Sequence, residues 1–107
     1  MAESHPIDRL FALIAARKGA DPQSSYTAQL LQKGVAHCAK KLGEEAVETA
    51  LAAVSGDRGA ITAESADLLY HLLVTWAATG VTPAEVYAAL EAREGRSGLA
   101  EKAARKS

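Results

Sequence analysis

The sequence predicts an all-α protein, organised as a bundle-like domain of four to five helices. About half of the residues are apolar (49%) but only 5% are aromatic, and alanine is the dominant apolar residue. This composition favours close-packed helices over a β-sandwich. Apolar residues recur at helical spacing, and Gly, Pro and capping residues separate the segments. At 107 residues, we expect a single domain over residues 1–107.

A short first helix is predicted over residues 7–17. Leu10 and Ile14 recur there at helical spacing. Pro6 suits the first turn of a helix and Gly19 suits its end. A loop rich in Gly, Pro and Ser is expected to follow.

A long second helix is predicted over residues 27–54, because apolar residues continue along one face. Gly34 interrupts this pattern and is expected to mark either a kink or a break. Gly43 is expected to admit a close neighbour beside the acidic residues. The apolar face consists of Leu31, Val35, Ala39, Leu42, Ala46, Val47 and Ala50.

The third helix, predicted over residues 62–79, is apolar on most of its circumference and should be central. The fourth has the clearest start, since Thr82 suits the N-cap, Pro83 the first helical position and Glu85 the third residue of a capping box. This helix should end near Arg93.

The net charge of −1 hides an uneven distribution. Acidic residues group at 44–67, and basic residues group at 33–41 and in a tail at 94–107. This balance argues against a nucleic-acid partner. Cys38 is the only cysteine, which excludes an intrachain disulfide and a thiolate zinc cluster, and we expect it to pack inside.

No membrane or export segment is expected. The N-terminus lacks a basic region followed by a long apolar stretch, so it does not resemble a signal peptide. The most apolar run, at residues 66–78, contains the ionisable residues Asp67 and His71 and is shorter than the roughly 20 residues of a membrane span. We therefore expect a soluble, cytoplasmic protein with no membrane partner.

Three glutamates, Glu44, Glu45 and Glu48, crowd less than two turns of the second helix. At about 100° per residue, Glu45 and Glu48 lie on one side, with Glu44 beside Glu48 and the main apolar face opposite. Like charges at this spacing repel one another. Either solvent exposure or a bound cation accounts for them.

A second stripe of ionisable residues is predicted on the third helix, formed by Glu64, Asp67 and His71. Aliphatic residues surround Asp67, so we expect it where solvent is scarce and where an unpaired carboxylate would need a partner. If the two helices pack antiparallel, Glu45 and Glu48 face Glu64 and Asp67. Four carboxylates in that arrangement would repel one another unless a divalent cation joined them. All-oxygen ligands favour Mg²⁺ or Mn²⁺.

The stretches "KKLGEEAVETALAA" and "AESADLLYHLLV" resemble the phosphoribosyl-ATP pyrophosphohydrolases of histidine biosynthesis, within the all-α nucleotide pyrophosphohydrolase superfamily. That superfamily has E-x-x-E on one helix and E-x-x-D on the next. The resemblance extends through residues 25–34 and 94–107 and so covers nearly the whole chain. The matching motifs are Glu45-Ala46-Val47-Glu48 and Glu64-Ser65-Ala66-Asp67.

The resemblance implies hydrolysis of 1-(5-phosphoribosyl)-ATP to 1-(5-phosphoribosyl)-AMP and pyrophosphate, the second step of histidine biosynthesis. It implies Mg²⁺, with Mn²⁺ as a possible substitute, binding of the ATP moiety, and a homodimer that completes the helical bundle. Because no cyclohydrolase domain is present, we expect the free-standing form. The implied metal ligands are Glu45, Glu48, Glu64 and Asp67.

Other roles have two interpretations each. Glu44 either orients the attacking water, beside Glu45 and Glu48 in the catalytic group, or is a solvated glutamate near a lysine. Lys41 either reaches a phosphate or forms an ion pair on its own helix. His71 either orients a carboxylate or is a hydrogen-bonded core histidine. Further cations that either contact substrate phosphates or lie on solvated surface are Lys33, Arg93, Arg96, Lys102 and Arg105.

Two other functions share these features. A house-cleaning nucleoside triphosphate pyrophosphohydrolase would need the four carboxylates but not the basic tail. A helical dimerisation module without chemistry would carry its acids on a solvated surface.

Overall fold

The computed structural model describes residues 5–94 together with Lys102 and Arg105. Residues 5–94 form five α-helices and no β-strand, so the all-α prediction is confirmed. The helices are α1 (Pro6–Ala16), α2 (Tyr26–Lys33), α3 (Val35–Ser55), α4 (Arg58–Thr79) and α5 (Pro83–Arg93).

The long helix predicted over residues 27–54 is two helices, α2 and α3. Ser25 begins α2 by accepting a hydrogen bond from the Ala28 amide. Gly34 then separates the two helices, with φ 96° and ψ 176°. This positive φ is accessible to glycine and strained for residues with a Cβ. Of the two expected alternatives at Gly34, the break is therefore the correct one.

A very short connection joins α3 to α4. Gly56 ends α3 in the left-handed region (φ 76°), and the Asp57 side chain caps α4 by accepting from the Gly59 and Ala60 amides. The predicted start of α4 at residue 62 was wrong, because Asp57 caps the helix one turn earlier. So short a connection makes α3 and α4 antiparallel neighbours, and they form the most extensive helix pair.

Helix α4 lies at the centre of the fold, as predicted, and contacts α1, α2 and α3. The core consists of Ile14, Leu30, Cys38, Leu73, Val74 and Ala77. Cys38 is fully buried and its thiol donates to the main-chain oxygen of Leu30, so its predicted packing role is confirmed. Burial raises the pKa of this thiol.

Helix α5 begins with the predicted capping box. The Thr82 hydroxyl accepts from the Glu85 amide, and the Glu85 carboxylate accepts from the Thr82 amide at 3.0 Å. The Tyr87 hydroxyl donates to Asp8 on α1 at 2.8 Å, which ties the last helix to the first. No helix within the described residues is long and apolar enough to cross a membrane.

Helix α3 turns much of its apolar face away from the other helices. Val47, Leu51 and Val54 are 59%, 64% and 87% exposed, and they follow one another at helical spacing. The residues that α3 buries are Cys38 and Ala52. The side of α3 that carries Glu45 and Thr49 faces α4, and an apolar stripe faces outward.

Candidate functional site

The antiparallel pair α3–α4 brings three carboxylates together. One side-chain oxygen from each of Glu45, Glu48 and Glu64 lies within 4.8 Å of the others. Glu45 and Glu64 are partly buried, and Glu48 is exposed. The expected meeting of acidic residues across the two helices is thus present for three of the four predicted metal ligands.

Thr49 links the two helices at this level. Its hydroxyl contacts the main-chain oxygen of Glu45 at 2.8 Å and that of Glu64, on the opposite helix, at 3.1 Å. The contact joins α3 to α4 and fixes the axial position of one helix relative to the other. Our sequence reasoning missed Thr49, although its position four residues after Glu45 places it on the same helical face.

The carboxylates perturb one another. The pKa of Glu45 is raised, first by desolvation and then by the nearby Glu48, Asp67 and Glu64. The pKa of Glu64 is also raised, by desolvation and then by Glu48 and Asp67. The Oε2 atom of Glu45 is buried and has no hydrogen-bond partner among the described residues. Within the described part of the chain, the negative charge of this cluster is therefore only partly compensated, by the electrostatic interaction of Lys41 with Glu45.

Asp67 is exposed, so the expectation that it lies where solvent is scarce was wrong. The aliphatic residues around it in the sequence pack on other sides of α4, since Leu73 and Val74 are buried while Leu69 is 43% exposed. Asp67 nevertheless raises the pKa of both Glu45 and Glu64, which places its charge beside the cluster. Asp67 therefore lies at the solvent-accessible edge of the carboxylate cluster.

The donor set fits a hard divalent cation. All candidate ligand atoms are carboxylate oxygens, which Mg²⁺ and Mn²⁺ prefer over the nitrogen and sulfur ligands typical of zinc. The Lys41–Glu44 salt bridge does not include Glu45, Glu48 or Glu64. The buried, unpartnered Oε2 of Glu45 is the strongest sign that a positive charge belongs here.

Glu44 is not one of the three clustered carboxylates and forms an ion pair. Its carboxylate lies 3.0 Å from the Lys41 ammonium on the same helix. The hydrogen bond to Lys41 lowers the pKa of Glu44, and the same contact raises the pKa of Lys41. This is the intrahelical pairing considered for Lys41, with Glu44 as the partner.

A surface depression of about 500 Å³ adjoins the acids and is lined by Gly43, Glu44, Val47 and Glu48. A Cβ at Gly43 would meet no atom of the described chain within 4 Å. The close neighbour expected at Gly43 is therefore not a described part of this chain. Gly43 instead leaves space beside the carboxylates.

The remaining predicted cations are scattered. Lys33 is exposed in the last turn of α2. Arg93 is exposed in the last turn of α5, which packs against α1. Lys102 and Arg105 are exposed. Arg96 lies outside the described residues.

Three aromatic rings flank the Lys41 end of the site. His71 is buried (6% exposed), with its ring edge against Tyr70 and Tyr26 at centroid distances of 5.0 and 6.3 Å. Burial lowers the pKa of His71, which favours the neutral ring. Its Nδ1 has no partner among the described residues. Burial agrees with the interpretation of His71 as a core residue, but the hydrogen bond expected with it is not found at Nδ1 in the part of the chain that the structure describes.

The fold and the site together define a class. Five α-helices, with an E-x-x-E segment and an E-x-x-D segment on an antiparallel pair, form an all-α protein of the nucleotide pyrophosphohydrolase type.

Comparisons with known proteins identify the family. Residues 7–94 match the model of the family described as phosphoribosyl-ATP pyrophosphohydrolase, and the chain belongs to this family. It is 69% identical to a phosphoribosyl-ATP pyrophosphatase of Parvibaculum lavamentivorans over 97% of this chain and 95% of the relative. Proteins of the same name from Azospirillum brasilense (60% identity, 94% and 91% coverage) and Cereibacter sphaeroides (63%, 92% and 96%) are also similar.

Proposed function

We propose that this protein hydrolyses 1-(5-phosphoribosyl)-ATP to 1-(5-phosphoribosyl)-AMP and pyrophosphate, the second step of L-histidine biosynthesis. The carboxylate cluster formed by Glu45, Glu48 and Glu64 carries the proposal, because it is suited to a divalent cation that accompanies a triphosphate. Family membership and the names of the relatives support the choice of substrate.

Mg²⁺ is the proposed cofactor, with Mn²⁺ as a substitute, held by Glu45, Glu48, Glu64 and Asp67. When bound, the ion neutralises phosphate oxygens and acidifies a coordinated water. The chain's own contribution is to present these carboxylates in one place. Thr49 fixes the spacing of the two helices, and partial burial of Glu45 and Glu64 strengthens their interaction with a cation.

Glu44 and Lys41 border the proposed centre and are assigned to water and phosphate. Glu44 is a weak proton acceptor because Lys41 lowers its pKa. Its proposed role is therefore to accept a hydrogen bond from the attacking water and orient it, rather than to remove its proton. Lys41 can exchange its contact with Glu44 for a phosphate oxygen. The attacking water then forms a bond to phosphorus while the bond from phosphorus to pyrophosphate breaks in line, and the proton that the water loses passes to solvent.

The active form is proposed to be a homodimer. The stripe of Val47, Leu51 and Val54 on α3 is largely exposed and apolar. Such a continuous stripe gains free energy when a second apolar surface covers it. A second copy of this chain is the proposed partner, and its stripe would cover this one on the side of α3 that faces away from α4.

A substrate comparison tests the activity. Phosphoribosyl-ATP, ATP and deoxynucleoside triphosphates are each incubated with the protein and Mg²⁺, and pyrophosphate release is measured. We expect rapid turnover of phosphoribosyl-ATP and little of the others. Turnover of ordinary triphosphates alone would instead indicate a house-cleaning enzyme, and no turnover would favour a non-catalytic dimerisation module.

A further inference from the structure

Tyr26 presents an aromatic ring to solvent next to the site. It is the first residue of α2, and 51% of it is exposed. Its ring stacks on Tyr70 with a centroid distance of 6.5 Å and an interplanar angle of 20°, and the His71 ring meets it edge-on at 87°. A ring supported in this way loses little conformational freedom when a ligand binds.

Tyr70 and His71, which support the Tyr26 ring, are themselves fixed by packing and hydrogen bonding. Tyr70 is partly buried against the core, and its hydroxyl hydrogen-bonds to that of Thr27, the residue after Tyr26. His71 is almost completely buried behind the two tyrosines. The position of the Tyr26 ring is therefore determined by α4 as well as by α2.

The ring lies within electrostatic range of the proposed catalytic groups. Lys41 interacts with Tyr26 as well as with Glu44 and Glu45. His71, which contacts the Tyr26 ring, interacts with Lys41, Asp67 and Glu44. Tyr26 thus lies near Lys41, at the end of the site marked by the Lys41–Glu44 ion pair.

We propose that Tyr26 determines specificity, by stacking on the adenine ring of the substrate and selecting adenine substituted at N1 over unsubstituted adenine. The inference rests on the proposed function, because that substrate carries its second ribose on N1. Alkylation at N1 makes adenine basic enough to be protonated near neutral pH, so the base of phosphoribosyl-ATP carries a delocalised positive charge. The base of ATP is neutral.

An aromatic face discriminates between these two bases. Any base gains from stacking on tyrosine. A cationic base gains further from the negative face of the ring. The positive charge of Lys41 does not oppose this selection strongly, because Glu44 neutralises it at 3.0 Å in the free protein and a phosphate oxygen takes that place in the proposed complex. The arrangement would favour the N1-substituted base without a hydrogen bond to the adenine edge.

Binding of two small probes tests the inference without catalysis. Calorimetry measures the affinity of 1-methyl-AMP and of AMP in Mg²⁺ buffer. The wild-type protein should prefer 1-methyl-AMP by about tenfold. Tyr26→Leu should abolish this preference, while the matched variant Tyr26→Phe, which retains the ring and loses only the hydroxyl, should keep it. No preference in the wild type, or an unchanged preference in Tyr26→Leu, would overturn the inference.

A second measurement on the wild type does not depend on the variant folding. Ring-current shifts should appear on the Tyr26 ring protons and on the methyl group of 1-methyl-AMP in NMR titrations, and their absence would overturn the inference. Sedimentation should give the same oligomeric state for Tyr26→Leu as for wild type; dissociation would make Tyr26 an interface residue instead.

Turnover separates this inference from the proposed function. Tyr26→Leu should lower kcat/KM for phosphoribosyl-ATP about tenfold more than it lowers any turnover of ATP, because both bases lose stacking and only the cationic base also loses the attraction to the ring face. A wild-type protein that releases no pyrophosphate from phosphoribosyl-ATP contradicts the proposed function. Normal hydrolysis with equal losses on both substrates contradicts only the role of Tyr26.

Discussion

The two sides of helix α3 contrast sharply. The side that faces α4 carries Glu45 and Thr49 and meets Glu64, whereas the opposite side carries Val47 and Leu51 in largely exposed positions. An ordinary surface helix of a single-domain protein has the reverse arrangement, with apolar residues inside and charges outside.

This difference separates function from stability within one helix. Carboxylates placed between two helices repel each other and lose hydration, as the raised pKa values of Glu45 and Glu64 indicate. The exposed apolar side forgoes part of the hydrophobic stabilisation that burial would supply. Both features lower the stability of the monomer without ligand. Binding of a cation on the inner side, and of a second apolar surface on the outer side, would offset these losses.

The largest effect is expected from Glu45→Gln. The substitution keeps the shape of the side chain but removes a charged oxygen from the cluster, so turnover of phosphoribosyl-ATP should fall at least about 100-fold. The melting temperature without divalent cation should rise, because repulsion is relieved. The control Glu91→Gln, on an exposed part of α5, should change neither quantity. Full activity in Glu45→Gln would show that the inner side is a solvated surface.

Divalent cation should stabilise the wild type. Mg²⁺ or Mn²⁺ at about 100 times its dissociation constant adds about 2.7 kcal/mol to the free energy of unfolding. For a domain of this size, that corresponds to a melting temperature about 10 °C or more higher. Differential scanning calorimetry with and without a chelator measures the shift. Glu45→Gln should lose most of it, and an equal shift in both proteins would place the binding elsewhere.

The outer side is tested by Leu51→Glu. A charge in the stripe should weaken self-association by about 2 kcal/mol, while the fold of the monomer should change little, since Leu51 is 64% exposed. Leu13→Glu is the matched control, because Leu13 on α1 is 61% exposed. Analytical ultracentrifugation compares the three proteins. Equal association constants would mean that the stripe is not the dimer contact.

Thr49→Val should cost about 1 kcal/mol in the free energy of unfolding, because it removes the hydroxyl that joins α3 to α4. Thr62→Val is the control: Thr62 bonds to Arg58 within α4, so no contact between helices is lost. Chemical denaturation measures both. Equal decreases in the free energy of unfolding of the two variants would show that the contact of Thr49 with Glu64 contributes no additional stability.

A smaller effect is expected from pH in metal-free protein. Folding raises the pKa of Glu45 and Glu64 above the ordinary glutamate value of 4.5. The folded state therefore binds more protons than the unfolded state within this window, and these groups lower the stability as pH rises from about 4.5 through the raised pKa values. The difference in melting temperature between wild type and Glu45→Gln should accordingly widen from pH 4 to pH 7. A constant difference would contradict the perturbed pKa of Glu45.

Short-range sequence signals were sufficient to predict where several helices begin. Pro6 and the Thr82–Glu85 capping box mark starts that depend on neighbouring residues only, and the structure confirms them. The start of α4 was missed because Asp57 competes with later residues as the cap. The break at Gly34 was one of two open alternatives, since glycine permits but does not require a positive φ.

The sequence alone determined the helical class, the central helix and the identity of the acidic motifs, because composition, helical period and caps act over a few residues. Tertiary structure decided which side of α3 meets α4, how exposed Asp67 is, that Thr49 joins the two acidic helices, and that Tyr26 lies near Lys41. These properties depend on contacts between residues far apart in the chain, such as Thr49 with Glu64 and Tyr26 with Tyr70. Such contacts exist only after whole helices have packed.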